Sequence, residues 1–217
     1  MKISWRELWR YLHPKSYYDR KYPHASIFYH ARFLPRVGKI PLDVREFFTN
    51  PNSYLFEQLR YEKRQGKIIK AIGSDSELVI WALEFVRKSI KYYSDKGQFG
   101  VDELWLMPHE TSELARGDCE DGAILLANIL VNLGIPAWRV RLSYMAHHLY
   151  VLYYSDLTMR WLKLDWTNIS DQQPKACPLE TAMFSWTRDQ AYTHVPLPEN
   201  TDRISVKDGK ISFESNT

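Results

Sequence analysis

The chain has 217 residues, 45% of them apolar, with eight tryptophans and a net charge of +3. That is the profile of a globular protein with a real core, and it excludes a disordered chain. Its two cysteines, Cys119 and Cys177, exclude a disulfide framework and fit a reducing compartment. Met1 to Leu12 lacks the apolar centre of a secretory signal, and no apolar run has the length of a membrane span, so a cytoplasmic location is expected.

Residues 1–40 hold nine Lys/Arg and two Asp/Glu, a net +7 against −4 for the rest. Trp5, Leu8, Trp9 and Leu12 recur at helical spacing, and His13-Pro14 ends that stretch. Tyr17, Tyr18, Tyr22, Phe28, Tyr29 and Phe33 follow among basic residues and prolines. Such an arm suits an anionic partner, nucleic acid included, or packs its aromatics on its own domain or on a partner protein. Asn50-Pro51-Asn52 is a break, and Tyr54 to Arg64 reads as a helix with Leu55 and Leu59 inward. Ser74 and Glu77 have capping-box spacing and open a helix to about Tyr93 with Leu78, Trp81, Ala82, Phe85 and Ile90 as its buried stripe. Lys96 to Gly100 reads as a loop.

Gly117-Asp118-Cys119-Glu120-Asp121 then opens a segment that is apolar on nearly every face up to Gly134. Asp118 is a good N-cap and Gly134 a good terminator. A helix apolar all round is surrounded by protein. Cys119 therefore lies in the first turn of a buried helix, where unpaired N–H groups favour a thiolate and can stabilise an oxyanion. Trp138 to Tyr144, Ala146 to Tyr154 and Arg160 to Thr167 read as strands with short links, and so as an antiparallel sheet. His148 opens the second strand, and Asp165 sits near the end of the third, 29 and then 17 residues on from Cys119. Residues 168–200 are irregular, and Asp208-Gly209 between alternating apolar residues signals a hairpin.

Gly-Asp-Cys-Glu-Asp, Leu-Gly-Ile-Pro-Ala, His-Leu-Tyr-Val and Leu-Asp-Trp-Thr, in this order, resemble the transglutaminase-like superfamily over about residues 75–190. The resemblance implies an α+β fold with a papain-like core: a central Cys-bearing helix packed on an antiparallel sheet, here with an N-terminal helical extension. The expected division is residues 1–73 as arm and extension, 74–200 as core and 201–217 as a terminal hairpin. It further implies Cys119 as nucleophile, His148 as acid/base and Asp165 as the group that orients the imidazole. Trp105, in a Trp-x-x-Pro-x-Glu-Thr segment, and Trp166 are candidates for a substrate-facing surface. Leu149 replaces the family's usual small residue, and Trp166 its usual proline.

The implied activity is thiol-dependent acyl transfer without a cofactor, most simply hydrolysis of a peptide or amide bond in a protein or peptide substrate. The alternatives are transamidation to an amine and a non-catalytic assembly module of the kind found among phage relatives, which would be virion-associated. Plainer readings stand beside these. Cysteine is often a small core residue, His147 is adjacent to His148 and would face the opposite side of a strand, and Asp165 can simply cap a turn. Glu120 and Asp121 suit a helix start and are expected to turn away from the sulfur. No spacing of metal-ligand type is present, so no metal is expected.

Overall fold

The computed structural model describes residues 5–34, 36–48, 54–64, 74–170, 174–198, 201, 203–207 and 210–214. The Asn50-Pro51-Asn52 break, the Asp208-Gly209 turn and the side chains of Trp5 and Leu8 lie outside what is described. The fold is α+β. Two short helices, α1 (Trp5–Leu12) and α2 (Pro14–Lys21), lead into strands β1 (Ser26–Leu34) and β2 (Gly38–Asp43), followed by α3 (Tyr54–Arg64) and α4 (Asp75–Ser89). Next come β3 (Lys91–Tyr92), α5 (Asp95–Phe99), α6 (Pro108–Leu114), β4 (Arg116–Gly117) and α7 (Cys119–Asn132). Strands β5 (Val140–Met145), β6 (His148–Ser155), β7 (Arg160–Leu164), β8 (Lys175–Ala176), β9 (Phe184–Trp186), β10 (Ala191–Thr193), β11 (Arg203–Lys207) and β12 (Lys210–Glu214) complete the chain. Among the described residues no helix is long and apolar enough to cross a membrane.

The main sheet has the order β10-β9-β5-β6-β7-β8, and its neighbours run antiparallel. Helix α7 lies on one face of β5 and β6, with α3, α4 and α6 around it. Its residues from Glu120 to Leu130 are all buried, as an all-apolar helix requires. The two polar interruptions find partners. Asn128 donates to the Phe47 and Ile124 carbonyls at 2.9 and 2.8 Å, and Asn132 donates to the Asn128 carbonyl at 2.9 Å. Gly134 takes φ +103°, the left-handed conformation that ends the helix.

Strand β6 is buried on both faces. Leu149, Val151 and Tyr153 join the core under α7, while Tyr150, Leu152 and Tyr154 form a second cluster with Trp161, Leu179 and Tyr192. That second cluster is roofed by Tyr18 and Tyr22 of the N-terminal segment, Tyr18 meeting Trp161 edge-on at 5.3 Å between ring centroids. Tyr18 and Tyr22, open in the sequence to either self-packing or a partner, thus pack on the chain's own sheet.

Residues 26–43, read from sequence only as arm, form two strands. Ile27, Tyr29 and Ala31 alternate inward along β1. Strand β1 pairs antiparallel with β2 and parallel with β11, in a second sheet of order β12-β11-β1-β2. Strands β11 and β12 pair antiparallel across the Asp208-Gly209 position, with Lys207 opposite Lys210. Helix α4 stops at Ser89 rather than near Tyr93, because Lys91 and Tyr93 donate to the Ala115 and Gly117 carbonyls and tie this segment to the loop before Cys119. The Lys96–Gly100 region is likewise helical, ending in Gly100 at φ +71°.

Candidate active site

Cys119 is the first residue of α7, half-buried, with a free thiol. The two glycines around it are fixed by packing. A Cβ on Gly117 would fall inside the Asp121 carboxylate, and one on Gly122 inside the Trp166 indole. Asp121 earns no side-chain freedom in return for this closeness: its carboxylate accepts from Leu106 N at 2.8 Å and Asp118 N at 3.2 Å, which joins the loop before α6 to the helix start. The Trp166 indole N–H donates to the Cys119 carbonyl at 2.9 Å.

Met145 pairs with His148 across a two-residue hairpin, Ala146 and His147, whose φ values of +47° and +66° are those of a type I′ turn. His147 is therefore in the turn, not on the strand as its neighbour is. Its carbonyl lies 4.0 Å from the Cys119 sulfur. His148 begins β6, and its Nε2 lies 2.9 Å from Asp165 Oδ2 just past the end of β7.

Asp165 also receives Lys163 Nζ at 2.9 Å and the Thr167 hydroxyl at 2.8 Å. The turn it belongs to is held from below by Arg87 of α4, which donates to the carbonyls of Asp165 at 2.7 Å, Asn168 at 2.6 Å and Trp166 at 3.3 Å. Arg87 was not singled out in the sequence, where it reads as an ordinary basic residue in a helix's last turn.

The charges follow from these contacts. The hydrogen bond with Asp165, then the neighbouring Cys119 thiol, raises His148 to about 9 against the penalty of burial. Burial opposes ionisation of Asp165, but bonds from His148, Lys163 and Thr167 outweigh it and hold the carboxyl well below its usual range. An imidazolium beside a carboxylate is the protonation state this geometry favours at neutral pH.

Glu120 departs from expectation. It is buried, and its Oε2 lies 3.0 Å from the Cys119 sulfur rather than turned away. Burial, then the charges of Cys119, Asp118 and Asp121, raise its carboxyl well above the usual range. Glu120 Oε1 and Asp118 Oδ1 are both buried without a partner, and a proton on Glu120 shared with Asp118 gives each of them one. Burial, then Asp118's charge, likewise raises Asp95 to about 7. Asp95, Asp118 and Asp121 each offer an oxygen within 4.8 Å of the others, and Asp118, Cys119 and Glu120 form a similar group. An all-oxygen set suits a hard cation. The sequence did not show it, because Asp95 lies 23 residues upstream of Asp118.

The two tryptophans of the sequence reading have other surroundings. Trp105 is fully buried, stacked on Tyr29 at 4.0 Å and on Trp186 at 5.9 Å, with its N–H on Glu103. It presents no face to solvent, which corrects its reading as part of a substrate-facing surface. Trp166 is 4% exposed and clamps the first turn of α7. Tyr92 is exposed, its ring 6.1 Å from that of Trp166 and close enough to Cys119 to feel its charge. A cavity of about 130 Å³ flanks Asp165, lined by Leu83, Arg87, Lys163 and Lys175–Cys177. Cys177 is far from a disulfide: its thiol hydrogen-bonds with Thr181 Oγ1 at 3.3 Å.

No family model matches the chain, and no curated protein matches it. Among solved structures it is similar to LapG of Legionella pneumophila, at 18% identity over 64% of this chain and 85% of that one, with a TM-score of 0.46. The calcium-bound form of the same Legionella pneumophila LapG is 20% identical over 64% of this chain and 87% of that one, with a TM-score of 0.43.

Proposed function

We propose that this chain is a thiol-dependent acyl-transfer enzyme, acting first as a hydrolase of peptide or amide bonds. The observation that carries the reading is the His148–Asp165 pair at 2.9 Å beside the helix-start thiol. In the forward step the Cys119 sulfur attacks the substrate carbonyl carbon, the C–N bond breaks, and His148 gives its proton to the departing amine. The resulting thioester is opened by water, whose proton returns to His148. The oxyanion formed in each step is met by unpaired N–H groups at the start of α7. Asp165 keeps Nε2 occupied, so that Nδ1 is the atom exchanging protons. An amine in place of water gives transamidation through the same thioester, and adding a primary amine to the assay separates the two products.

The test is iodoacetamide alkylation followed at Cys119 and Cys177 separately by peptide mass spectrometry. Both thiols are partly accessible, so Cys177 serves as the internal control. Cys119 is expected to react faster than Cys177 at mildly acidic pH, with His148→Ala erasing the difference. Equal rates in the unaltered protein, or a difference that survives His148→Ala, would refute the reading.

A further inference from the structure

The basic arm leaves a second feature that the acyl-transfer chemistry does not use. Where α1 and α2 meet the β7–β8 edge there is a cavity of about 400 Å³, within the range of ligand-sized sites. Arg10, Lys21 and Arg160 line it, with Tyr11 and Trp161 among its aromatic walls. Its one carboxylate, Glu180, is bound by Lys21. Arg10 and Arg160 have no carboxylate partner among the described residues, and Arg10 Nε is buried without any partner. Arg10 lies over the Tyr11 ring at 5.0 Å, and a cation on an aromatic face without counter-charge is set for an anion that brings apolar surface with it.

Ala176 and Cys177 line both this cavity and the smaller one beside Asp165. A chain lying along β8 would therefore touch both. Lys175 also lines the smaller cavity, where Lys163 is held by Asp165.

We propose that the larger cavity docks an acidic segment of the polypeptide on which Cys119 acts, with carboxylates at Arg10 and Arg160 and apolar side chains against Tyr11 and Trp161. This rests on the acyl-transfer reading for its substrate class. Continuity with the Asp165 cavity and the aromatic walls favour a peptide over a free inorganic anion.

The test uses the full chain carrying Cys119→Ala, so that binding is measured without turnover. Calorimetric titrations compare an acetylated peptide of alternating Glu and Leu, its Gln-for-Glu counterpart, and inorganic phosphate. The Glu peptide is expected to bind saturably and to weaken as salt rises from roughly 50 to 200 mM. Arg10→Gln with Arg160→Gln is expected to weaken it about tenfold, on the order of 1.4 kcal/mol. In the charge-reversed Arg10→Glu, Arg160→Glu protein, a Lys–Leu peptide is expected to bind instead. Equal binding of the Gln peptide, indifference to both sets of substitutions, absence of binding, or phosphate binding with no peptide binding would each overturn the proposal. Docking that persists while Cys119 and Cys177 alkylate alike would sink the acyl-transfer reading and leave the docking site standing. A reactive Cys119 without docking would do the reverse.

Discussion

Replacing Asp165 with Asn tests the electrostatic core of the site directly. The substitution keeps the shape of the side chain but replaces the carboxylate whose hydrogen bond contributes most to holding His148 at about 9, and removes its charge. The interval down to the ordinary histidine value near 6.5 corresponds to roughly 3 kcal/mol at about 1.4 kcal/mol per pH unit. Part of that interval belongs to Cys119, and the His148 side chain is 31% exposed, so solvent screening reduces it further. A contribution of about 1–2 kcal/mol from Asp165 is the reasonable expectation. The sign follows from the direction of the shift. A histidine whose folded pKa is raised stabilises the fold fully below its unfolded value and loses that contribution as pH rises through about 9. The Asp165→Asn protein should therefore be less stable than the parent at pH 6, with the gap narrowing by pH 10. NMR titration of the His148 ring should show its midpoint falling from about 9 toward 6.5. An unchanged midpoint would mean that Asp165 does not hold the imidazolium, and the proton-transfer scheme would fail with it.

Glu120→Gln should stabilise the protein at neutral pH. A carboxyl raised by burial costs stability once pH exceeds its unfolded value near 4.3, so the advantage of Gln in urea unfolding should grow from pH 4 to 7.5. A gap that is flat or reversed across that range would show that Glu120 is ionised in the folded state. Arg87→Met removes donors to three carbonyls of the Asp165 turn and should cost about 2–3 kcal/mol. It should also lower the His148 midpoint, with Arg87→Lys recovering part of the loss; a purely structural Arg87 would leave the titration unmoved. Trp105→Ala opens the stacked core and should cost about 3–5 kcal/mol in denaturant unfolding, and a loss under 1 kcal/mol would contradict its enclosure.

What could be read from the sequence was whatever a local period or cap encodes. Helix α7 and strands β5 to β7 are visible as apolar runs of helix and strand length with short links between them, and Asp118 and Gly134 mark the helix ends. Their order placed His148 and Asp165 as neighbours. Strand β1 has the same alternation, but Phe28, His30 and Arg32 fill its outward positions with basic and aromatic residues, and its parallel partner β11 lies about 175 residues away. No local signal names such a partner. Glu120 shows a different limit. Sequence adjacency to Cys119 says nothing about side-chain direction, and a helix-start carboxylate is ordinarily solvated, so its turn toward the sulfur emerges only once the surrounding acids and loops are packed. Trp105 was misread for a similar reason: a tryptophan next to a site motif can as well be the stack that supports the site as a surface facing it.

The double burial of β6 explains why a segment with a net charge of +7 belongs to the fold. A central strand carrying Tyr150, Leu152 and Tyr154 outward, beside Trp161, has an apolar face that α7 cannot reach. Tyr18 and Tyr22 cover it, and Tyr192 donates to Asp19 at 2.7 Å to fix the arm's register. Covering that face takes only the aromatic half of the arm. Two of its cations stand at the margin of the contact: Lys21 binds Glu180, and Arg10 lines the cavity together with Arg160 from β7. Packing thus accounts for Tyr18 and Tyr22, and Arg10 is the arm cation that lines the cavity at the β8 edge without a carboxylate partner among the described residues.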